Sequence, residues 1–315
     1  MLRNLLASIC LLAFLHLAAS AAEPEVIRVM SFNLWHGGDA GKQPLEQTVK
    51  VIQAAQADIV GLQETAGNDS KGGPRPDRAA EIAKRLRWNY LDQGGRTGII
   101  SRFKILEATP RKWGVKLELA SGRRIYHFNA HFAPAPYQPY QLLRIPYFNA
   151  PFLTTAEEAV RAAHAARGAQ VDRLLAEVKG SQAEGLPIFL TGDFNEPSHR
   201  DWTAAAVKQK FCPLVVEWPA TKRVEEAGFA DAYRAIHRDP VAQRGLTWTP
   251  TTRSDDPKDH HDRIDFVFAL EAKSRVRGAK VVGEAQEWAD IVVAPYPSDH
   301  RGVVAEVELL PLEPK

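Results

Sequence analysis

Cysteine is nearly absent: Cys10 and Cys212 are the only two in 315 residues. Cys10 lies in an N-terminal apolar run expected to be removed, so the mature chain keeps one thiol and no internal disulfide can form. Low-complexity tracts, linkers and internal repeats are also missing, which excludes a disordered tail protein, a solenoid or a collagen-like fibre. Neither sign of charge prevails. Forty basic against 38 acidic residues leave +2, too even a balance to hold long nucleic acid by charge alone. An apolar run of membrane-spanning length is lacking too. Arg3, then Leu5–Ala18, then Ala19-Ser20-Ala21 has the basic start, short apolar middle and small-residue cleavage site of a secretory signal peptide. Residues 1–21 are therefore expected to be cleaved, giving a secreted or periplasmic protein with no transmembrane anchor. Residues 22–315 are expected to form one domain, long enough to depend on its core rather than on covalent staples.

What is present is a series of short apolar runs, each ending in polar residues. They lie at 26–33, 57–64, 97–101, 124–131, 186–195, 263–268 and 302–307. Runs of this length, rich in Ile, Val and Phe, read as strands, and those apolar at consecutive positions are covered on both faces. Helical spacing recurs between them at 45–56 and 78–86. The clearest helix covers 155–179, opened by Thr154 with Glu157 three residues on and closed near Gly180. Ser121-Gly122 predicts a hairpin turn joining 112–120 to 123–131. Helices mixed with hairpins point to an α/β chain of two packed sheets with helices outside rather than one parallel sheet.

The chemistry lies where the apolar runs stop. Asn33 closes the first, Glu64 the second, and Asn129 with His131 the hairpin strand. Asp193 and Asn195 end the fifth, Asp265 sits within the sixth, and Asp299-His300 precede the last. Residues two apart on a strand face the same way, so Asn129 pairs with His131 and Asp193 with Asn195. Any one of these suits a turn. Together, with two histidines among them, they point to one shared polar cleft, because polar groups on buried strands are costly without partners, water or a metal.

The ordered series S-F-N-L-W (31–35), L-Q-E-T (62–65), N-A-H-F (129–132), T-G-D-F-N (191–195), D-R-I-D-F (262–266) and S-D-H (298–300) resembles the endonuclease/exonuclease/phosphatase superfamily, the DNase I-like fold. The resemblance implies a four-layer α/β/β/α sandwich of two mainly antiparallel or mixed sheets, and metal-dependent hydrolysis of phosphate esters. It implies that Glu64 is the principal metal carboxylate, with Asn33 beside it on the metal, through water, or on the phosphate, and Asp299 as a further metal-site acid. Such an oxygen-rich set suits Mg²⁺ or Mn²⁺, with Ca²⁺ possible, better than Zn²⁺. It implies that His300 activates the attacking water and Asp265 orients it, and that Asp193 and Asn195 place the nucleophile and hold phosphoryl oxygens. Asn129 is placed with the phosphate-binding group. His131 corresponds to a second histidine that contacts phosphate and protonates the leaving oxygen, although the sequence offers it no clear carboxylate partner.

The chain's own departure is a proline- and aromatic-rich insert at about 132–152. It is expected to be stiff and extended, and either a lid over the cleft or a packing flap. As a lid it would bring Tyr137, Tyr140, Tyr147 and Phe148 to the group attached to phosphate. With no basic stripe, this favours a small or lipid-linked phosphoester over duplex DNA; a secreted nuclease is the alternative. No sequence feature marks a stable protein partner. Gln63 reads as a support for the Glu64 loop, His127 as a core residue, His36 as a rim or surface residue, and 254–262 as a solvated loop.

Overall fold

The computed structural model describes residues 24–68 and 72–311, so the expected signal segment lies outside the described residues. In chain order, β1 (Val26–Asn33), α1 (Leu45–Ala54), β2 (Ile59–Gln63), α2 (Arg78–Leu86), β3 (Asn89–Gly94) and β4 (Thr97–Ser101) come first. Next are β5 (Lys104–Ala108), β6 (Gly114–Glu118), β7 (Arg124–His131), α3 (Gln138–Leu143), α4 (Ala156–Gln182) and β8 (Ile188–Asp193). The rest are α5 (Ala204–Lys208), α6 (Pro219–Glu226), β9 (Phe229–Asp231), α7 (Ala232–Ile236), β10 (Asp265–Leu270), β11 (Ser274–Gly283), β12 (Ile291–Val292) and β13 (Gly302–Leu309). One sheet has the order β12-β11-β13-β1-β2-β4-β3 and the other β5-β6-β7-β8-β10-β9. Both are mixed, with β1 parallel to β2 and β7 parallel to β8 among antiparallel neighbours.

Strand alternation sorts the side chains into layers. Ile27, Val29, Ile59, Ile125, Phe189, Val267 and Val303 share the apolar layer between the sheets. Met30, Phe32, Val60 and Leu62 turn the other way, onto Val49 and Ile52 of α1 and Ile82 of α2. Phe128, Leu190, Phe266 and Phe268 likewise pack on Val171, Leu174 and Val178 of α4 and Val224 of α6. This is the expected four-layer α/β/β/α sandwich.

Along each central strand the layer between the sheets changes character. It runs Ile27, Val29, Ser31, Asn33 on β1; Ile59, Gly61, Gln63 on β2; Ile125, His127, Asn129, His131 on β7; and Phe189, Thr191, Asp193 on β8. An apolar half gives way to a buried polar half, and the polar half opens on the site. Gln63 Nε2 donates to Asn129 Oδ1 at 2.6 Å, and Asn129 Nδ2 donates to the Leu62 carbonyl at 3.0 Å, joining the two sheets. Gly61 makes room for this contact, since a Cβ there would overlap Thr191 Oγ1 and Asn129 Oδ1. Gly61→Ala should therefore cost about 1–3 kcal/mol by overpacking, read as a lower midpoint in urea; an unchanged midpoint would contradict this account of the interlayer.

The structure departs from two sequence expectations. Helix α4 is capped one residue later than expected: Thr155 accepts from the Glu158 N–H, and the Glu158 side chain accepts the Thr155 N–H in return. It also continues through the exposed Gly180 to Gln182. The insert is not extended throughout. It contains α3, and hydrogen bonds fix it to α4: Arg167 donates to the Pro136 carbonyl at 2.9 Å and Gln138 Oε1 at 2.6 Å, while Gln170 accepts the Ala133 N–H at 2.9 Å.

Candidate active site

Strand register builds half of the site. On the parallel pair β7 and β8, His131 lies opposite Asp193; on the antiparallel pair β8 and β10, Asp193 lies opposite Asp265. Cross-strand neighbours project to the same face, so His131, Asp193 and Asp265 stand in a row. His131 Nε2 is 3.6 Å from Asp193 Oδ2, the carboxylate partner that the sequence alone did not supply. The first sheet contributes Asn33 at the end of β1, Glu64 after β2, and Asp299-His300 before β13. Ser298 anchors the last pair, donating its hydroxyl to the Asn33 carbonyl at 2.7 Å and accepting the His300 N–H at 3.1 Å. Thr247 supports Asp265, its hydroxyl accepting the N–H groups of Ile264 at 3.0 Å and Asp265 at 3.1 Å.

His300 Nδ1 lies 2.9 Å from Asp265 Oδ2. With the proton on Nδ1 and donated to Asp265, Nε2 is left as the acceptor facing the cleft. That nitrogen is 3.5 Å from Asn33 Nδ2, 3.8 Å from Asp193 Oδ2 and 4.0 Å from Asp299 Oδ1. The Trp248 ring packs on the imidazole at 4.9 Å between centroids. Burial alone would lower the His300 pKa, but Asp265 and Asp193, helped by Asp299, outweigh it and push it up to about 10. Burial raises the Asp265 carboxyl, with His300 pulling it down and Asp193 adding to the rise. Asp299 is driven up to about 7, chiefly by burial, with His300 opposing and Glu64 and Asp193 adding like charge.

Glu64 is the most accessible of the site carboxylates, 28% exposed at its side chain. Its Oε2 accepts the His36 N–H at 3.1 Å, and the His36 ring lies at the same oxygen, so His36 rims the site. Trp35, His36, Glu64 and Asn195 all adopt left-handed backbone (φ 54°, 55°, 51° and 48°), a conformation costly for such residues and concentrated at functional sites.

The chemistry of the donors fits a hard cation. Glu64, Asp193 and Asp299 crowd three carboxylates together, and Asp299 Oδ1 is buried without a hydrogen-bond partner. Divalent charge would relieve both conditions. A second grouping, Asp193, Asp265 and His300, also brings one ligand atom from each residue within 4.8 Å of the others.

The other expected site residues divide between the cleft and its supports. Asn33 turns its NH₂ to Asp193 Oδ2 at 2.9 Å and accepts the Trp35 N–H at 3.0 Å through Oδ1. So placed it stands between the metal-site and general-base candidates, its NH₂ also 3.5 Å from Glu64 Oε1, and Oδ1 keeps a second lone pair for water or a cation. Asn129 is 1% exposed, and its amide is spent between the sheets on Gln63, Leu62 and Gln93; it braces the site from behind and meets no phosphate. Asn195 is not an alternating partner of Asp193, because β8 ends at Asp193. Its N–H donates to Asp193 Oδ1 at 2.9 Å and its amide to the Phe132 carbonyl at 3.1 Å.

Tyr137 and Tyr140 are buried, their hydroxyls donated to Asp262 at 2.7 Å and to Asp259, so neither presents its hydroxyl to a substrate. The same contacts correct the solvated-loop reading of 254–262. Residues 254–258 are largely exposed, but His261 and Asp262 are buried, and Asp262 also accepts Trp202 Nε1 at 2.9 Å. His127 is wholly buried, its Nε2 3.2 Å from Thr191 Oγ1, and burial pushes its pKa down to about 3. Cys212 is a buried free thiol pushed up to about 12, mainly by burial, and so is chemically quiet. Sequence reasoning missed the supporting Ser298, Thr247 and Trp248; Ser298 lay in the S-D-H motif itself.

Comparisons with known proteins agree with this fold. The model of the Endonuclease/Exonuclease/phosphatase family matches residues 30–300, and the chain belongs to that family, whose members hydrolyse phosphodiesters and typically use a divalent metal. Uncharacterized protein F14F9.5 of Caenorhabditis elegans is 29% identical over 255 residues, covering 77% of this chain and 78% of its own. An endonuclease/exonuclease/phosphatase from Beutenbergia cavernae DSM 12333 superposes with a TM-score of 0.55 at 18% identity, over 90% of this chain and 72% of that one. D. rerio TDP2 complexed with single strand DNA product gives 0.52 at 17% identity, over 90% and 98%. Both structural likenesses speak for the fold.

Proposed function

We propose that the chain is an exported phosphoesterase that requires Mg²⁺ or Mn²⁺, with Ca²⁺ a poorer substitute, and acts on a small or lipid-linked phosphoester. The observation that carries this is the Asp265–His300 hydrogen bond, with the free imidazole nitrogen facing Asn33, Asp193 and Asp299. His300 Nε2 takes the proton of the attacking water while Asp265 holds the tautomer and supports the imidazolium. To act so, His300 must be neutral, and compensation of the Asp299 charge, one of those that raise its pKa to about 10, lowers it toward the working range. Asn33, Asp193 and Asn195 align the water and the phosphoryl oxygens, and His131, held beside Asp193, meets the phosphate and protonates the leaving oxygen. A bound cation supplies neutralisation of the charge that grows on those oxygens.

Glu64 and Asp299 suit the cation better than the Asp193, Asp265 and His300 grouping, because a metal in the latter would compete with the Asp265–His300 hydrogen bond. Export is supported by Arg3, the Leu5–Ala18 run and Ala19-Ser20-Ala21. An N-terminal sequence starting near Ala22 on the exported product tests it.

The experiment is a panel of nucleotides, sugar phosphates, phospholipids and plasmid, each with Mg²⁺ and with Mn²⁺. Chelation with EDTA should remove at least about 10²-fold of the rate, in line with loss of a principal electrostatic partner, and added Mg²⁺ should restore it; full activity in EDTA would refute the metal requirement. The likeness to a TDP2 bound to DNA product keeps a nuclease reading alive. Its signature is plasmid cleavage falling steeply with salt.

A further inference from the structure

Beside the catalytic residues, Trp248 and the insert together form a row of rings that the hydrolytic step does not use. Trp248, packed on His300, belongs to one apolar cluster with Tyr137, Tyr140, Ile145 and Tyr147. Tyr140 meets Tyr147 edge to face at 5.5 Å, and Tyr147 meets Phe148 edge to face at 4.6 Å. The row thus begins against the imidazole and ends at Phe148, which is 74% exposed. Burial, then the charges of Glu64 and Asp193, raise the Tyr147 pKa, so its neutral phenol sits within the field of the site carboxylates. Phe148 and Asn149 both have left-handed backbone, φ 45° and 53°, an arrangement that holds the Phe148 ring outward at a cost. Among the described residues, the exposed aromatic rings are Phe148 and Phe152, and both belong to the insert.

The row is fixed in place. Besides the Arg167 and Gln170 contacts, Gln138 donates to Gln141 Oε1 at 3.1 Å, Gln141 donates to the Pro151 carbonyl at 2.6 Å, and the Leu153 N–H donates to the Gln141 carbonyl at 3.1 Å. A held, edge-to-face pair with one open ring face suits a flat partner. A flexible acyl chain is better served by deformable aliphatic or Met-rich surface, and the exposed end of this row offers phenyl and phenol rings.

We propose that Tyr147 and Phe148 form a stacking wall that selects phosphoesters carrying a planar ring near the scissile phosphate, as a nucleoside phosphate does. The inference rests on the phosphoesterase reading and narrows its substrate from small or lipid-linked esters to the ring-bearing class. It assigns specificity to the insert, and the chemical step to the residues at the strand ends.

The test compares adenosine 5′-phosphate with ribose 5-phosphate, which share the reacting P–O bond and differ in the base, and repeats the pair as methyl diesters. With Mg²⁺ the intact protein should prefer the adenosine member of the hydrolysed pair by about 10-fold or more in kcat/KM, the scale of base stacking on an aromatic side chain. Phe148→Leu should bring that ratio close to one, while Phe148→Tyr preserves it. Equal kcat/KM for the two members, or a ratio unmoved by Phe148→Leu, would overturn the wall. So would octyl phosphate outperforming adenosine 5′-phosphate. Hydrolysis of other phosphoesters with neither pair touched defeats the wall and spares the phosphoesterase reading. Hydrolysis of no phosphoester at all defeats the activity reading first.

Discussion

Replacing His300 with alanine is expected to lower kcat/KM by about 10³-fold, within the range for losing a positioned proton acceptor, while circular dichroism and the melting curve stay those of a folded protein. Asp265→Asn should cost a similar factor, because the amide can present its NH₂ to Nδ1 and favour the wrong tautomer. It also removes the charge that does most to raise the His300 pKa, which should therefore fall below about 10. The two residues act on one proton, so the double variant should be hardly slower than either single one. Near wild-type turnover in His300→Ala, or losses that multiply in the double variant, would dissolve the dyad.

The second large effect couples stability to the cation. Asp299 ionises near 3.8 in an unfolded chain and at about 7 in the folded one, so the unfolded chain gives up its proton first. Without divalent metal, stability should therefore fall as pH rises from about 4 to 7. The loss is on the order of 2 kcal/mol once the remaining exposure of the carboxylate is discounted. Asp299→Asn removes this slope, so at pH 7.5 and without metal the variant should melt a few degrees above the wild type. Activity should fall about 10²–10³-fold, and Mg²⁺ should raise the melting temperature of the wild type much more than that of the variant. A variant melting below the wild type at pH 7.5 without metal would show that the buried Asp299 carboxylate is not a source of strain in the folded chain.

The route from residues to site was short where neighbouring residues carry the information. Apolar runs ending in Asn33, Glu64, His131 and Asp193 mark strands whose inner faces turn polar at one end, and that end is the cleft. Partnership across strands was not legible. His131 found no carboxylate in the sequence because Asp193 reaches it through β7–β8 register, 62 positions away. Asn129 misled for the opposite reason: its alternation with His131 is real, but one step deeper it meets Gln63 of the other sheet instead of solvent. The missed strands lie toward sheet margins. β3, β5 and β9 are edges and β11 is next to one; Asn89–Gly94 has no buried position, and Ser274–Gly283 alternates polar and apolar residues until its buried end. Tyr137 and Tyr140 resembled lid residues on composition alone; Asp259 and Asp262, more than a hundred positions away, draw their hydroxyls inward.

The most direct measurement of the central claim is anomalous diffraction from crystals grown with Mn²⁺. A single strong peak roughly 2.1–2.3 Å from carboxylate oxygens of both Glu64 and Asp299, with the Asp265–His300 hydrogen bond intact beside it, is the expected result. A peak seated on Asp265 and His300 instead, or no ordered Mn²⁺ near Glu64 at millimolar concentration, would contradict the account.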